Sequence, residues 1–267
     1  MTDEIRINDW NDFNQHFNDY EVKYSKIDWL FRGQSNENWK LESSIYRIIG
    51  NVVKSEEEAR GYEAGSIEKF FSEYLLYQNE NDAQASVLSE SAAHNPYFRH
   101  LVYMQHHASP TRLLDWTESP YIALYFAVID NLEDDGALFL VKTEIMQTTK
   151  CDILGECAQK HVPYIECFSD WVKTRRVAIQ QGWFTISNRI LFEHGKILDN
   201  SKNTTEDFSK IIISKDFKRE ALYRLHLMNI SAKTLFPGLD GLGAWTKEKM
   251  ITGCRAHFPN GKKQNKE

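Results

Sequence analysis

The sequence predicts an α+β fold, a mixed sheet with flanking helices around one cleft, on three observations. Runs of branched and aromatic residues with strand character, such as 27–34 and 137–141, alternate with runs whose apolar residues recur every three or four positions. Polar residues gather where the expected strands end, the usual place for a ligand in such a layered domain. At 267 residues, 42% hydrophobic and 13% aromatic, the chain can bury a full core without metals or disulfides. A single domain spanning 1–267 is expected, with 1–24 as an N-terminal helical extension and 258–267 as a disordered tail.

Taken in order, Trp10, Phe13 and Phe17 stand at helical spacing behind an Asn8 or Asp9 cap. Residues 27–34 then read as a strand running into Gly33, where an arginine beside a glycine sets a guanidinium fork next to approachable backbone. A short strand is expected near 39–41, followed by Arg47, a second arginine facing the same cleft. Ser55 and Glu58 form a capping box for a long helix whose stripe of Ile67, Phe70, Phe71, Tyr74 and Leu75 is core. Another helix starts near Pro96 and carries Phe98, Leu101, Val102 and Gln105.

Residues 104–117 then pack His106, His107, Thr111, Arg112, Asp115, Trp116 and Thr117 into one polar run. Ser119 and Pro120 open a helix behind it, so the run sits at a helix N-terminus, where free N–H groups suit phosphate or another anion. A plain capping loop is the alternative. Further on, 134–136 is a turn, 137–141 a strand buried on both faces, and 175–186 a strand, a break at Gly182 and a second strand. Residues 196–209 read as a polar surface insertion. A strand at 209–214, a helix at 217–228, a turn at 236–241 and a helix near 242–252 complete the body.

A formal net charge of −6 argues against wholesale coating of nucleic acid, leaving only local patches such as Arg175–Arg176 and the Lys262, Lys263, Lys266 tail. Cys151, Cys157, Cys167 and Cys254 form no Cys-x-x-Cys pair, and the N-terminus lacks an apolar signal core, so a cytoplasmic protein with reduced thiols is expected. No apolar run approaches the roughly 18 residues of a membrane span, and no His/Cys cluster has metal-ligand spacing. No membrane and no metal are expected.

Three separated segments resemble the FRG-domain family, named for its Phe-Arg-Gly motif and widespread in bacteria and phages. They are Phe31-Arg32-Gly33-Gln34, then Gln105 to Thr117 with Ser119-Pro120 and the Ala123 to Ala127 helix, and finally Arg176 to Gly182 with Leu235 to Gly241. The resemblance covers roughly 25–245. The order of an Arg-Gly on an early strand and a polar motif leading into an Ala-x-x-Phe-Ala helix is also similar to the ADP-ribosyltransferase fold.

That similarity implies NAD as substrate. Arg32 would hold its ribose or phosphate, Gly33 the nicotinamide carboxamide, and Thr117 would brace the cleft. Phe31, Gln34, His107, Thr111, Arg112 and Gln180 join the expected NAD-binding set, while Arg32, Asp115 and Gln181 are the expected catalytic residues. The late Glu-x-Glu or Gln-x-Glu of that fold is missing; Gln180–Gln181 stand there instead, with Glu193 and Asp240 as other carboxylates. Asp115 has an equally good structural reading, as an ion-pair partner of Arg112 or Arg32, and of the adjacent His106 and His107 only one can reach the site. The implied function is an NAD-dependent ADP-ribosyltransferase, a toxin or phage-defence effector acting on RNA, DNA or protein, with an inhibitory antitoxin as a further partner. The alternatives are a non-catalytic nucleotide or NAD-derivative binding module and an NAD glycohydrolase.

Overall fold

The strand that carries Arg32 lies at the centre of a seven-stranded mixed sheet of spatial order β1-β7-β4-β2-β3-β6-β5. The computed structural model describes residues 5–18, 29–77, 96–146, 153, 162–169 and 174–253. The strands are β1 (Arg6–Ile7), β2 (Trp29–Gln34), β3 (Leu113–Thr117), β4 (Gly136–Lys142), β5 (Ile165–Phe168), β6 (Gly182–Ser187) and β7 (Phe208–Ile213). The neighbours pair antiparallel except β1 and β7, which are parallel.

β2 pairs with β4 along its whole length, from Trp29↔Lys142 to Gln34↔Ala137, but meets β3 in a single register pair, Phe31↔Thr117. Beyond that pair the two strands part, and the sheet forks at Arg32. Because side chains alternate along a strand, Phe31 and Gly33 share one face with Leu113, Asp115 and Thr117, while Arg32 and Gln34 share the other with Leu114 and Trp116.

The first face is covered by α1 (Trp10–Asn18), α5 (Pro120–Val128) and α8 (Lys215–Leu227), and by α4 (Pro96–His106) over β3 and β6. Asp9 caps α1 by accepting from the N–H of Asn11 and Asp12, and Phe13 and Phe17 pack against one another in the core; each such ring contributes roughly 1.5–3 kcal/mol on burial. α1 is thus packed on the body through these rings. Ser119 caps α5 as expected, accepting from Ile122 N–H, with Pro120 in the first turn.

Gly33 explains how α5 lies so close to β2. A Cβ there would stand 1.8 Å from Ala123 O and 2.7 Å from Ala127 N, so no other residue fits without moving the helix. The glycine therefore has a packing requirement that needs no ligand.

On the second face lies α7 (His194–Ser201), with Leu30, Leu114, Trp116, Phe139 and Ile197 in its core. α2 (Ser44–Ile49), capped by Ser43, and α3 (Glu56–Tyr77), capped by Ser55, close the forked end. α9 (Ala232–Leu235) and α10 (Leu239–Gly253) dock on α5 and α8 through buried Glu248, which accepts from Tyr125 Oη, from Ala232 N–H and faces His226 at 2.8 Å.

Three expectations are corrected, and one stretch left without a secondary structure gains one. Residues 175–179 form a short helix, α6 (Arg175–Ile179), because Thr174 caps it by accepting from Val177 N–H; the expected strand there is absent. Residues 113–117, read only as part of the polar run ahead of α5, are strand β3, held by β6 from Leu113↔Ile186 to Thr117↔Gly182. The short strand near 39–41 is irregular backbone, and the polar insertion at 196–209 is largely α7 and the start of β7. Strand β1 was not foreseen: two residues are too few for a period to register. Ile27, Asp28, Cys151, Cys157, Cys254 and the 258–267 tail lie outside the described residues.

Candidate functional site

At the fork a cavity of about 580 Å³ opens between β2, the loop after it, α2 and the end of α5, within the usual size of a ligand site. Arg32, Gly33, Gln34, Trp39, Arg47 and Asp130 line it. Arg32 reaches across the fork, its Nη1 donating to Asp115 O at 2.6 Å. Its Nε is shielded from solvent and has no partner among the described residues, and the same is true of Gln34 Oε1. A donor and an acceptor beside one cavity, both desolvated and unpaired, are costly unless a ligand satisfies them. Arg47, anchored through Nη1 to Glu42 O at 2.6 Å, brings the second positive charge expected from the sequence. Burial lowers the Arg32 pKa, Asp115 opposes this, and Arg47 adds to it; the guanidinium remains charged at any physiological pH.

Asp115 is the exposed residue of a strand otherwise buried throughout. A carboxylate left open at the middle of a central strand contributes little to packing there. It accepts from Gln105 Nε2 at 2.9 Å, and Gln105 Oε1 in turn accepts from Thr111 Oγ1. His106, on the preceding helix, is pushed down to about 4, chiefly by burial and further by Arg176, against the pull of Asp115. At neutral pH it is an uncharged base. Arg176 Nη1 donates to His106 O at 3.1 Å, and its guanidinium lies 4.7 Å from the centre of the Phe236 ring. Thus the Phe-Arg-Gly strand, the central motif and the two late motifs converge on one region.

Other expected site residues are occupied elsewhere. Arg112 is fully buried and forked onto Glu63 of α3, Nε to Oε1 at 2.7 Å and Nη2 to Oε2, so its charge is spent inside the fold. Thr111 is also buried and exchanges hydrogen bonds with Ser44, stapling α2 to the start of β3. Phe31 is 0% exposed and belongs to the core. His107 is exposed but turned toward Tyr103 and Phe70, at a separate cavity of about 360 Å³ between α3 and α4.

Thr117 Oγ1 donates to Gln180 O at 2.7 Å and accepts from Ser119 N–H, while Gln180 Nε2 donates to Leu235 O at 3.0 Å. Gln181 is exposed in a left-handed conformation, φ 47°, its carbonyl accepting from Glu118 N–H. The two glutamines therefore occupy a turn, and the strand rule that would put one of them in the cleft does not apply. Glu193 pairs with Lys40 at 3.7 Å and Lys196 at 3.6 Å, and Asp240 is exposed on α10.

Two further residues escaped sequence reasoning. His194 opens α7, is 1% exposed, and its Nδ1 has no partner among the described residues; burial first, then the charges of Arg32 and Arg112, push it down to about 3. It stands neutral behind the Arg32 guanidinium. Lys218 of α8 is 0% exposed, and its Nζ donates to Ser35 O at 2.7 Å, Asn131 O at 2.9 Å and Asp130 O at 3.2 Å. Ser35 and Asp130 both line the cavity, so one ammonium ties these two lining segments together. Helical spacing marks Lys218 as part of the buried stripe of α8, the one signal available for it. Among the described residues no group of His, Cys, Asp or Glu is placed to hold a metal ion, and no helix is long and apolar enough to cross a membrane.

The family model described as FRG domain matches residues 27–136, the stretch from β2 to the start of β4 that holds Arg32, Arg47, His106 and Asp115. Neither the curated proteins nor the solved structures compared with the chain include a match.

Proposed function

From a chain that carries an FRG domain over residues 27–136, we propose an NAD-consuming ADP-ribosyltransferase working at the β2–β3 fork. The observation that supports it most is the Arg32 guanidinium, held at the fork by the main-chain carbonyl of Asp115 with its Nε desolvated beside the cavity: a fixed cation for the donor's phosphates or ribose, with the exposed Asp115 carboxylate on the adjoining strand. Arg32 and Arg47 clamp the pyrophosphate, and Gln34 and Gly33 line the wall against which the nicotinamide end lies. The bond between ribose C1′ and the nicotinamide nitrogen breaks with its electron pair leaving on the nicotinamide, now neutral. Asp115 faces the oxocarbenium character that develops at C1′. An acceptor lone pair then bonds C1′, and the acceptor's proton passes to neutral His106 or to solvent.

A second reading rests on the turn at Gln180–Gln181. No carboxylate stands in that turn, which favours a module that binds NAD or a nucleotide without turning it over, or one that only hydrolyses it. Incubation of the purified chain with adenylate-labelled NAD and separate RNA, DNA and protein acceptors distinguishes the three. Label on an acceptor with equimolar nicotinamide release is the expected result; free ADP-ribose alone indicates hydrolysis, and binding without nicotinamide release indicates the module.

A further inference from the structure

A second cavity, of about 530 Å³, adjoins the first and shares Asn38, Trp39 and Lys40 with it, so the loop after β2 is a partition with an opening on each side. Aromatic rings form part of its lining. The partly exposed Phe208 of β7 lies 6.3 Å from the buried Phe139 of β4 with the rings inclined by only 12°, and Trp39, half exposed, lines the same cavity. Phe139 is the cross-strand partner of Arg32, which ties this lining to the first cavity by a single register step.

The charges differ from those of the first cavity. Lys40, Lys196 and Lys210 are matched by Glu37, Glu193 and Asp199, so the interior suits a neutral ring with polar edges better than a free anion. The lysine pairs are open ones: Lys40 and Lys196 are 61% and 64% exposed and stand 3.7 and 3.6 Å from Glu193, distances at which an ion pair is worth little and a phosphate can replace the carboxylate. The half-exposed Trp39 ring, with Phe208 beside it in the lining and exchangeable cations on the rim, matches the demands of a single-stranded nucleic acid, whose unpaired base stacks while its phosphates follow the lysines. The net charge of −6 does not oppose this, because seating one base needs no broad basic face.

We infer that this second cavity seats an unpaired nucleobase of a single-stranded nucleic acid, delivered across the Trp39 partition from the first cavity. Given the proposed function, that base belongs to the acceptor. The inference rests on that reading only for the word acceptor; binding of the strand stands by itself.

The test is fluorescence anisotropy of labelled single-stranded RNA and DNA oligonucleotides against the full chain, beside NAD binding by calorimetry. Phe208→Leu keeps apolar volume and removes the flat face; Lys210→Glu, on the partly exposed strand, leaves the core untouched if the first variant folds poorly. Each is expected to weaken oligonucleotide binding about tenfold while NAD affinity stays at the wild-type value. Arg32→Ala is expected to do the reverse. Oligonucleotide affinity unchanged in both variants overturns the inference, and so does a parallel loss of NAD affinity in Phe208→Leu, which would place the dinucleotide's own base in this cavity. A wild-type chain that binds the strand in this Phe208-dependent way yet binds no NAD supports the base site and rejects the transferase.

Discussion

The Arg32 guanidinium donates to the main-chain carbonyl of Asp115 where β2 and β3 part after their single shared pair. The arginine takes the place of the ladder bonds the fork gives up, while Asp115 turns its carboxylate out on the other face beside Gln105. Sheet architecture and site chemistry therefore meet in these two residues.

Asp115→Asn keeps the shape of the side chain and its contact with Gln105 while removing its charge. NAD affinity is expected to stay within a fewfold of wild type, with kcat for nicotinamide release falling about 10²- to 10³-fold. Steady-state kinetics check this; unchanged kcat assigns the carboxylate's role elsewhere.

Arg112 and Glu63 behave oppositely. Both are about 1% exposed, so removing one leaves the other buried and unpaired. Arg112→Met should lower stability by about 3–5 kcal/mol in chemical denaturation. A loss under 1 kcal/mol would release Arg112 from its structural role and return it to the candidate ligand set.

His194 makes the fold sensitive to acid. Its folded pKa, pushed down to about 3, lies below the ordinary value of 6.5, so the unfolded chain binds the extra proton between those values and stability falls as pH drops through that window. His106, at about 4, acts in the same direction. Melting temperatures of wild type and His194→Gln from pH 7 to pH 4 should converge, the variant losing less. Parallel curves contradict the buried, neutral imidazole.

Lys218 shifts in the same sense in a higher pH window. Burial lowers it from 10.5 to about 8 against the pull of Asp134, Asp135 and Asp130, so the unfolded chain holds the extra proton between pH 8 and 10.5 and wild type gains stability there. Against Lys218→Met, which lacks the titration, the wild-type advantage should widen over that range. Because the ammonium ties together two segments that line the cavity, the variant should also bind NAD more weakly than its loss of stability alone explains. An advantage that stays constant from pH 8 to 10.5 rejects the buried clamp.

Much of the fold was legible because its signals are local. Ser119–Pro120 announces α5, Ser55 with Glu58 announces α3, and the apolar run of β4 announces a central strand. Arg32 and Asp115 were legible as candidates because a charged side chain on a central strand has little packing reason to be there. What failed was long-range. Arg112 sits three residues from Asp115 in the same polar run, and nothing local says that Glu63, 49 residues earlier, claims it. Thr174 caps a helix where the Val-Ala-Ile run suggested a strand, which moved Gln180 and Gln181 into a turn. His194 and Lys218 acquire their meaning from backbone and charges brought to them by other elements.

The central claim is that the Arg32 guanidinium holds the donor. Calorimetric titration of NAD into wild type, Arg32→Ala and Arg32→Lys, each with its melting temperature, tests it most directly. The prediction is that Arg32→Ala loses about 10- to 150-fold in affinity, that Arg32→Lys recovers only part of it because the fork across to Asp115 is lost, and that all three melt within a few degrees of one another. Wild-type NAD affinity in Arg32→Ala, or unfolding of that variant at ordinary temperature, would contradict the account and leave Arg32 as a strut between β2 and β3.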